Sequence, residues 1–249
     1  MKEVEVSKTI IEEYSASLVE HLTNDVIIVG SGPAGLTAAY YLANAGRKVT
    51  IIEKRLSTGG GTWGGATGQS VVVFDDNEII NELGINNKKV RSLYTADAIE
   101  FAAALAYRAI QAGAKIFNLT EAEDIIVKEK AVEGVVVNQT TIYSSGLPVD
   151  PFCIAAKAVI DGTGHPAEVV QMLRNKKSDF HPEALREGFM DVEQAEKMVV
   201  EKTGEIHPGL YIAGMAVCAT FGLPRMGPIF GGMLKSGKKI AGIIDEDLK

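Results

Sequence analysis

Two groups of residues in this 249-residue chain have the types and spacing that chemistry needs. The first is GSGPAG, where Gly30, Gly32 and Gly35 fit G-x-G-x-x-G. Alone that pattern is weak. Here it follows the β-branched run DVIIVG, opens the helical run PAGLTAAYYLANAG, and is answered by Glu53 at the end of a second apolar run, KVTIIEK. Glycines allow a tight turn and let a pyrophosphate approach a helix N-terminus. A carboxylate ending the second strand can accept hydrogen bonds from the adenosine ribose hydroxyls. The plainer reading is a glycine turn packing helix on strand, with Glu53 a solvated strand end; the complete context favours a dinucleotide site. The second group is Asp150 and His165, which flank one apolar run. They form an O/N pair of the kind iron(II) accepts, though substrate atoms or a neighbouring subunit would have to complete the site. Asp150 can equally stabilise a turn beside Pro151, and His165 can be a cap or a loop histidine. Arg225, in GLPRMGP, suits bidentate capture of a carboxylate or an exposed ion pair of little worth.

Strands and helices must alternate to hold these groups. Ile10, Ile11, Tyr14, Leu18 and Leu22 recur at helical spacing, so the chain opens with an amphipathic helix, His21 being a helix-face residue. The strand, glycine turn, helix and strand around GSGPAG are the size of a βαβ unit. Residues 57–68, STGGGTWGGATG, form a glycine loop whose backbone can approach a ligand. TADAIEFAAALAYRAIQAG is a helix, with Thr95 as N-cap and Gly113 as stop. AKIFNL, DIIVKE and AVEGVVVNQTTI are successive strands, and a further strand runs from Ala155 to Ile160. Between them lies YSSGLPVDPFC, whose two prolines exclude an ordinary central strand. Residues 174–205 are a charged, peripheral excursion with a helical piece near Val192 to Val200; His181 and His207 are loop residues. GLYIAG is a short strand and PIFGGMLKSGKKIAGIIDEDL a closing helix. The expected fold is α/β, a single Rossmann-like dinucleotide-binding domain over 1–249, with a parallel central sheet and a smaller β-rich insertion.

Composition narrows the function. Hydrophobic residues make up 46% and charged residues 23%, an ordinary globular balance. The net charge of −7, without a basic stripe, argues against nucleic acid. No uncharged apolar run approaches a membrane span, the N-terminus does not read as a signal peptide, and two cysteines suit a reducing cytoplasm. Cys153 is expected to be a buried structural thiol.

GSGPAG with IIEK is also the style of two-dinucleotide-binding flavoproteins, which carry a late GLYxxGD whose aspartate meets the flavin. This chain has GLYIAGMA, with Met215 at that place, which counts against FAD. Across nearly its whole length the chain instead resembles the thiamine thiazole synthase family, through DVIIVGSGPAGLTAAYYLA, GGGTWGG, GVVVN, VDP, DGTGH, PGLYIAGMA and GLPRMGPIFGGMLKSGKKIA. The two last blocks, in that order, are highly specific. The match is poorer at ATGQS and over the charged excursion.

The resemblance implies a flavoprotein-like fold that uses NAD as a substrate. Nicotinamide is released, the ADP-ribose becomes a ketone that condenses with glycine, and sulfur addition leads to an adenylated thiazole carboxylate, with Fe(II) assisting the sulfur step. It implies Asp150 and His165 as metal ligands and Arg225 on the glycine carboxylate. Gly30, Gly32, Ala34, Gly35, Glu53, Lys54, Gly61, Ala122, Pro148, Val149 and Met215 would lie along the nucleotide. It also implies ring-like homo-oligomers, such as octamers, in which VDP approaches a neighbouring protomer's site. One branch takes sulfur from its own cysteine, two residues before the aspartate of DP; another keeps histidine there and takes free sulfide. This chain has Pro148, which has no sulfur and cannot ligate iron. The expectation is therefore a sulfide-dependent, repeatedly acting transferase, in the archaeal manner. The rivals are a flavin- or NAD-linked oxidoreductase, which would purify yellow or transfer hydride, a sugar-bisphosphate isomerase, and an adenine-nucleotide-binding homologue without chemistry.

Overall fold

In the computed structural model, which describes residues 1–177 and 179–249, the chain runs α1 (Lys2–Glu20), β1 (Thr23–Val29), α2 (Pro33–Asn44), β2 (Val49–Ile52), β3 (Val71–Phe74), α3 (Glu78–Glu82), β4 (Lys88–Val90), β5 (Leu93–Asp97), α4 (Ala98–Gln111) and β6 (Lys115–Phe117). It continues through β7 (Thr120–Lys128), β8 (Ala131–Gln139), α5 (Thr140–Ser145), β9 (Phe152–Asp161), α6 (Glu168–Lys176), α7 (Val192–Lys202), β10 (Gly204–His207), β11 (Leu210–Ile212), α8 (Met215–Phe221) and α9 (Gly231–Asp247).

The central sheet has the order β10-β11-β9-β1-β2-β6, and the β7–β8 hairpin joins it through β8 on β9. β11, β9, β1, β2 and β6 are parallel neighbours. Their β-branched residues fit a sheet buried on both faces. Val26 and Ile28 pack with Leu36, Leu42, Phe101, Leu105, Leu234 and Ile240 from α2, α4 and α9. Their neighbours Ile27 and Val29 face the other way, against Val135, Val137 and Ile154. A third cluster joins Val170, Ala195, Val199, Val217, Cys218 and Met226. The expected α/β class, parallel sheet and β-rich insertion are all present. A second small sheet, β3-β5-β4, covers one side, its Phe74 stacking edge-on against Phe101.

Several local expectations change. Asp97, not Thr95, caps α4, its carboxylate accepting from the Ile99 and Glu100 N–H groups, because Thr95 is paired within β5. The run AVEGVVVNQTTI ends as a strand at Gln139 and coils into α5, while β9 starts at Phe152, ahead of the expected Ala155. Within the glycine loop Thr62–Gly64 form one 3-10 turn. The charged stretch carries α7, whose Ala195 and Val199 are fully buried. No residue of α1 is buried and most of its apolar stripe faces outward, although Leu18 packs on the β7–β8 side and Tyr14 lies edge-on to Phe117. His21 lies beyond its last turn, edge-on to Phe117. His207 is a strand residue, buried against Phe180. Cys153 is exposed and only Cys218 buried. Alternation along β9 explains this, since Cys153, Ala155 and Lys157 share the outward face.

Candidate active site

Register places the site. Val29 pairs with Ile52 on one side and Asp161 on the other, and Asp161 pairs with Ile212. The chain therefore leaves four parallel strands at one level, and Gly30, Glu53, Gly162 and Ala213 surround a single cleft of about 760 Å³. Open parallel sheets bind ligands at this edge.

One wall is the glycine turn. Gly30 has φ +98°, and a Cβ there would stand 2.5 Å from the Gly162 carbonyl oxygen. A Cβ on Gly35 would stand 2.3 Å from the Gly30 oxygen, so Gly35 lets α2 close on the turn rather than line the cleft. Gly32 caps α2 without a side chain, which leaves the first N–H groups of the helix for an anion. Glu53 is buried: Oε2 accepts from the Ser31 N–H (3.0 Å) and hydroxyl, and Oε1 from the Arg55 N–H (2.8 Å). Oε2 is thereby filled, while Oε1 keeps acceptor capacity for a hydroxyl. The fit to a dinucleotide is good. Ala34, Lys54, Gly61, Ala122 and Met215 also line the cleft. Lys54 donates to Glu168 at 2.6 Å, with Glu121 4.0 Å away. Although burial works against its charge, these two carboxylates hold its pKa above the ordinary value.

The opposite wall comes from farther along the chain. Asp161 is fully buried and accepts from the Thr163 N–H and hydroxyl and from the Val169 and Val170 N–H groups, which fixes the loop carrying His165. Burial pushes its pKa up against those four donors. Segment 187–191 lies along the loop before α9: Gly188 N–H donates to the Leu223 carbonyl, Arg225 N–H to Phe189, and Asp191 N–H to Arg225. This contact brings Glu187 to both polar residues of the wall. Its Oε1 is 2.7 Å from His165 Nδ1, and its Oε2 is 4.0 Å from Arg225 Nε. The Glu187 side chain is only 12% exposed, against 56% for each partner. Glu187 was not singled out by sequence; it lies in the charged excursion, where no periodicity or motif marks it.

Asp150, Pro148 and Val149 lie outside this cleft. All three are exposed, in the loop after α5. The ten-residue strand β9 stands between Asp150 and His165, and extended chain covers about 3.3 Å per residue. The pair therefore cannot close on one ion within a chain, and no group of three His, Cys, Asp or Glu residues among the described residues could hold a metal. Within one chain the carboxylate beside His165 is that of Glu187, already engaged at Nδ1, and Asp150 could reach an ion at His165 only from another copy.

Comparison with known proteins fits this arrangement. The profile of the Thi4 family matches residues 7–230. The chain belongs to the Thi4 family. The thiamine thiazole synthase of Pyrococcus horikoshii is 48% identical, over 100% of this chain and 99% of its own. That of Thermotoga maritima is 45% identical over the same shares of the two chains. The crystal structure of Thermovibrio ammonificans THI4 superposes with a TM-score of 0.97 at 43% identity, covering 100% of this chain and 98% of that one. No helix among the described residues is long and apolar enough to cross a membrane.

Proposed function

We propose that this Thi4-family chain is a thiamine thiazole synthase that converts NAD, glycine and sulfide into an adenylated thiazole carboxylate, releasing nicotinamide, and that it turns over repeatedly. The observation that carries the reading is the two-walled cleft, in a chain similar along its whole length to thiazole synthases. In this reading the uncapped start of α2 takes the pyrophosphate, and Glu53 accepts from the adenosine ribose. The sugar bound to nicotinamide then lies toward His165. The Arg225 guanidinium, whose Nη groups make no hydrogen bond to described residues, takes the glycine carboxylate in a fork. Bound Fe(II) would supply Lewis acidity for sulfur delivery, with His165 of one protomer and Asp150 of another holding it. The working form is accordingly a homo-oligomer with shared sites, and the protein acts in the cytoplasm.

Sulfide as donor follows from Pro148, two residues before Asp150, where a self-sacrificing relative would carry its cysteine. Cys218 is buried, and its thiol is pushed up to about 12, chiefly by burial, so it is no source of sulfur. Cys153 is exposed but follows Asp150. Anaerobic reaction with NAD, glycine, Fe(II) and sulfide tests the proposal. The expected result is several equivalents of adenylated thiazole per chain and none without sulfide. At most one equivalent, with Cys153 losing the mass of its sulfur, overturns it.

A further inference from the structure

We propose that Glu187 is a positioning residue that sets the far wall of the cleft: it fixes the His165 ring with Nδ1 protonated and Nε2 bare, and holds Arg225 beside it. This deepens the reading above and rests on it for the substrates. Three features of the geometry carry it. The Glu187 carboxylate is nearly enclosed, and its two oxygens are divided between two partners, Oε1 toward His165 Nδ1 and Oε2 toward Arg225 Nε. A carboxylate can only accept, so Nδ1 must donate, and a neutral imidazole then keeps its lone pair on Nε2. Nε2 makes no hydrogen bond to a described residue, and His165 lines the cleft. The segment is itself anchored by backbone bonds at Gly188, Phe189 and Asp191 to the stretch from Leu223 to Arg225, so the carboxylate is presented by a tethered segment rather than a free loop. An exposed imidazole in water would sample both tautomers and many orientations. Attached to an enclosed carboxylate it has one of each.

Two substitutions separate the two halves of the bridge. Glu187→Ala removes both contacts. Glu187→Gln keeps an oxygen that can accept from Nδ1 but presents a donor, not a charge, to Arg225. Solid-state 15N spectra of protein labelled at histidine, with His165→Ala to assign the signal, should show the Nδ1–H form in wild type and in Glu187→Gln, and its loss in Glu187→Ala. In turnover assays Glu187→Ala should lower kcat by about 10–100-fold, the usual effect of losing a histidine's carboxylate partner, and raise KM for glycine while NAD affinity, read by titration, is unchanged. Glu187→Gln should recover kcat but leave the glycine KM raised. An Nε2–H signal in wild type, or an unaltered signal in Glu187→Ala, overturns the proposal. So does a loss of NAD affinity matching the loss of glycine, because that marks general unfolding of the wall. If wild type makes no thiazole but the spectra behave as described, the substrate reading fails and the bridge stands.

Discussion

The two walls of the cleft are built by opposite means. The glycine turn and Glu53 come from one βαβ unit of some thirty residues, and the bonds that shape them run within it, to the glycine loop at Gly59, and to the adjoining β6 and β7 at Phe117 and Thr120. The other wall joins His165, Glu187 and Arg225 from three distant segments, none of them within a helix or a named strand. The first wall is welded to the core: Gly30 presses on Gly162, Gly35 on Gly30, and Glu53 is enclosed. The second carries half-exposed side chains fixed by a single carboxylate. On the proposed function, the adenosine and pyrophosphate of NAD would rest on a surface inseparable from the fold, and the reacting end on one that can vary without unfolding it.

The largest effects should follow from attacking the first wall. Gly30→Ala forces a side chain into φ +98°, which alone costs about 1–3 kcal/mol, and places its Cβ against the rigid Gly162 backbone. A thermal melt should show a large loss of stability, and a titration the loss of NAD binding. Glu53→Ala should come next. It leaves the buried Ser31 N–H and hydroxyl without their acceptor, at about 1–3 kcal/mol, measurable in denaturant along with weakened NAD binding. If either variant kept full stability and lost only NAD, the first wall would be no more coupled to the core than the second.

The same contrast explains what could be read in advance. GSGPAG, Glu53, the strands on either side and the closing helix are marked by local periodicity and turn chemistry, and the structure has them in place. Glu187 is not marked. It is one acid among many in a polar stretch, and its role arises only when residues 187–191 meet the loop at Arg225. Asp150 and His165 read as a pair flanking one strand, and that strand is long enough to hold them apart within a single chain. Cys153 was misjudged for a simpler reason: its parity with Lys157 along β9 puts it outside. The small sheet β3-β5-β4 went unread because each strand has at most five residues and borrows its burial from Phe101 and Phe230.

Beneath the second wall, segment 187–191 runs into α7, where Glu196 accepts from the Gly232 N–H at the start of α9. Burial, and next the charge of Asp75, push the Glu196 pKa up from 4.5 to about 7; Asp76 adds to this, while Gly232 and Lys235 oppose it. The folded protein therefore holds a proton there that the unfolded chain has released between those two values. Stability from this group is full below about pH 4.5 and falls as pH rises toward 7. Glu196→Gln, which keeps the acceptor for Gly232, should flatten the pH dependence of unfolding between about pH 4.5 and 7 relative to wild type, leaving NAD binding alone. An unchanged slope would show that this base of the second wall is not proton-linked.

The smallest expected effect lies away from both walls and serves as their control. Asp97 and Thr95 are both residue types that cap helices, but only Asp97 has its oxygen on the Ile99 and Glu100 N–H groups, at 2.9 Å each. The Thr95 hydroxyl instead reaches weakly to the Lys88 carbonyl at 3.4 Å, across the small sheet. Asp97→Ala should cost about 1 kcal/mol, the usual worth of an N-cap, and Thr95→Ala less. Neither should alter NAD or glycine binding, since Asp97 and Thr95 both lie outside the cleft. A urea titration of the two variants checks the order. If Asp97→Ala weakened NAD binding beyond what its stability loss explains, α4 would belong to the first wall, and the boundary between site and scaffold would have to be redrawn to include it.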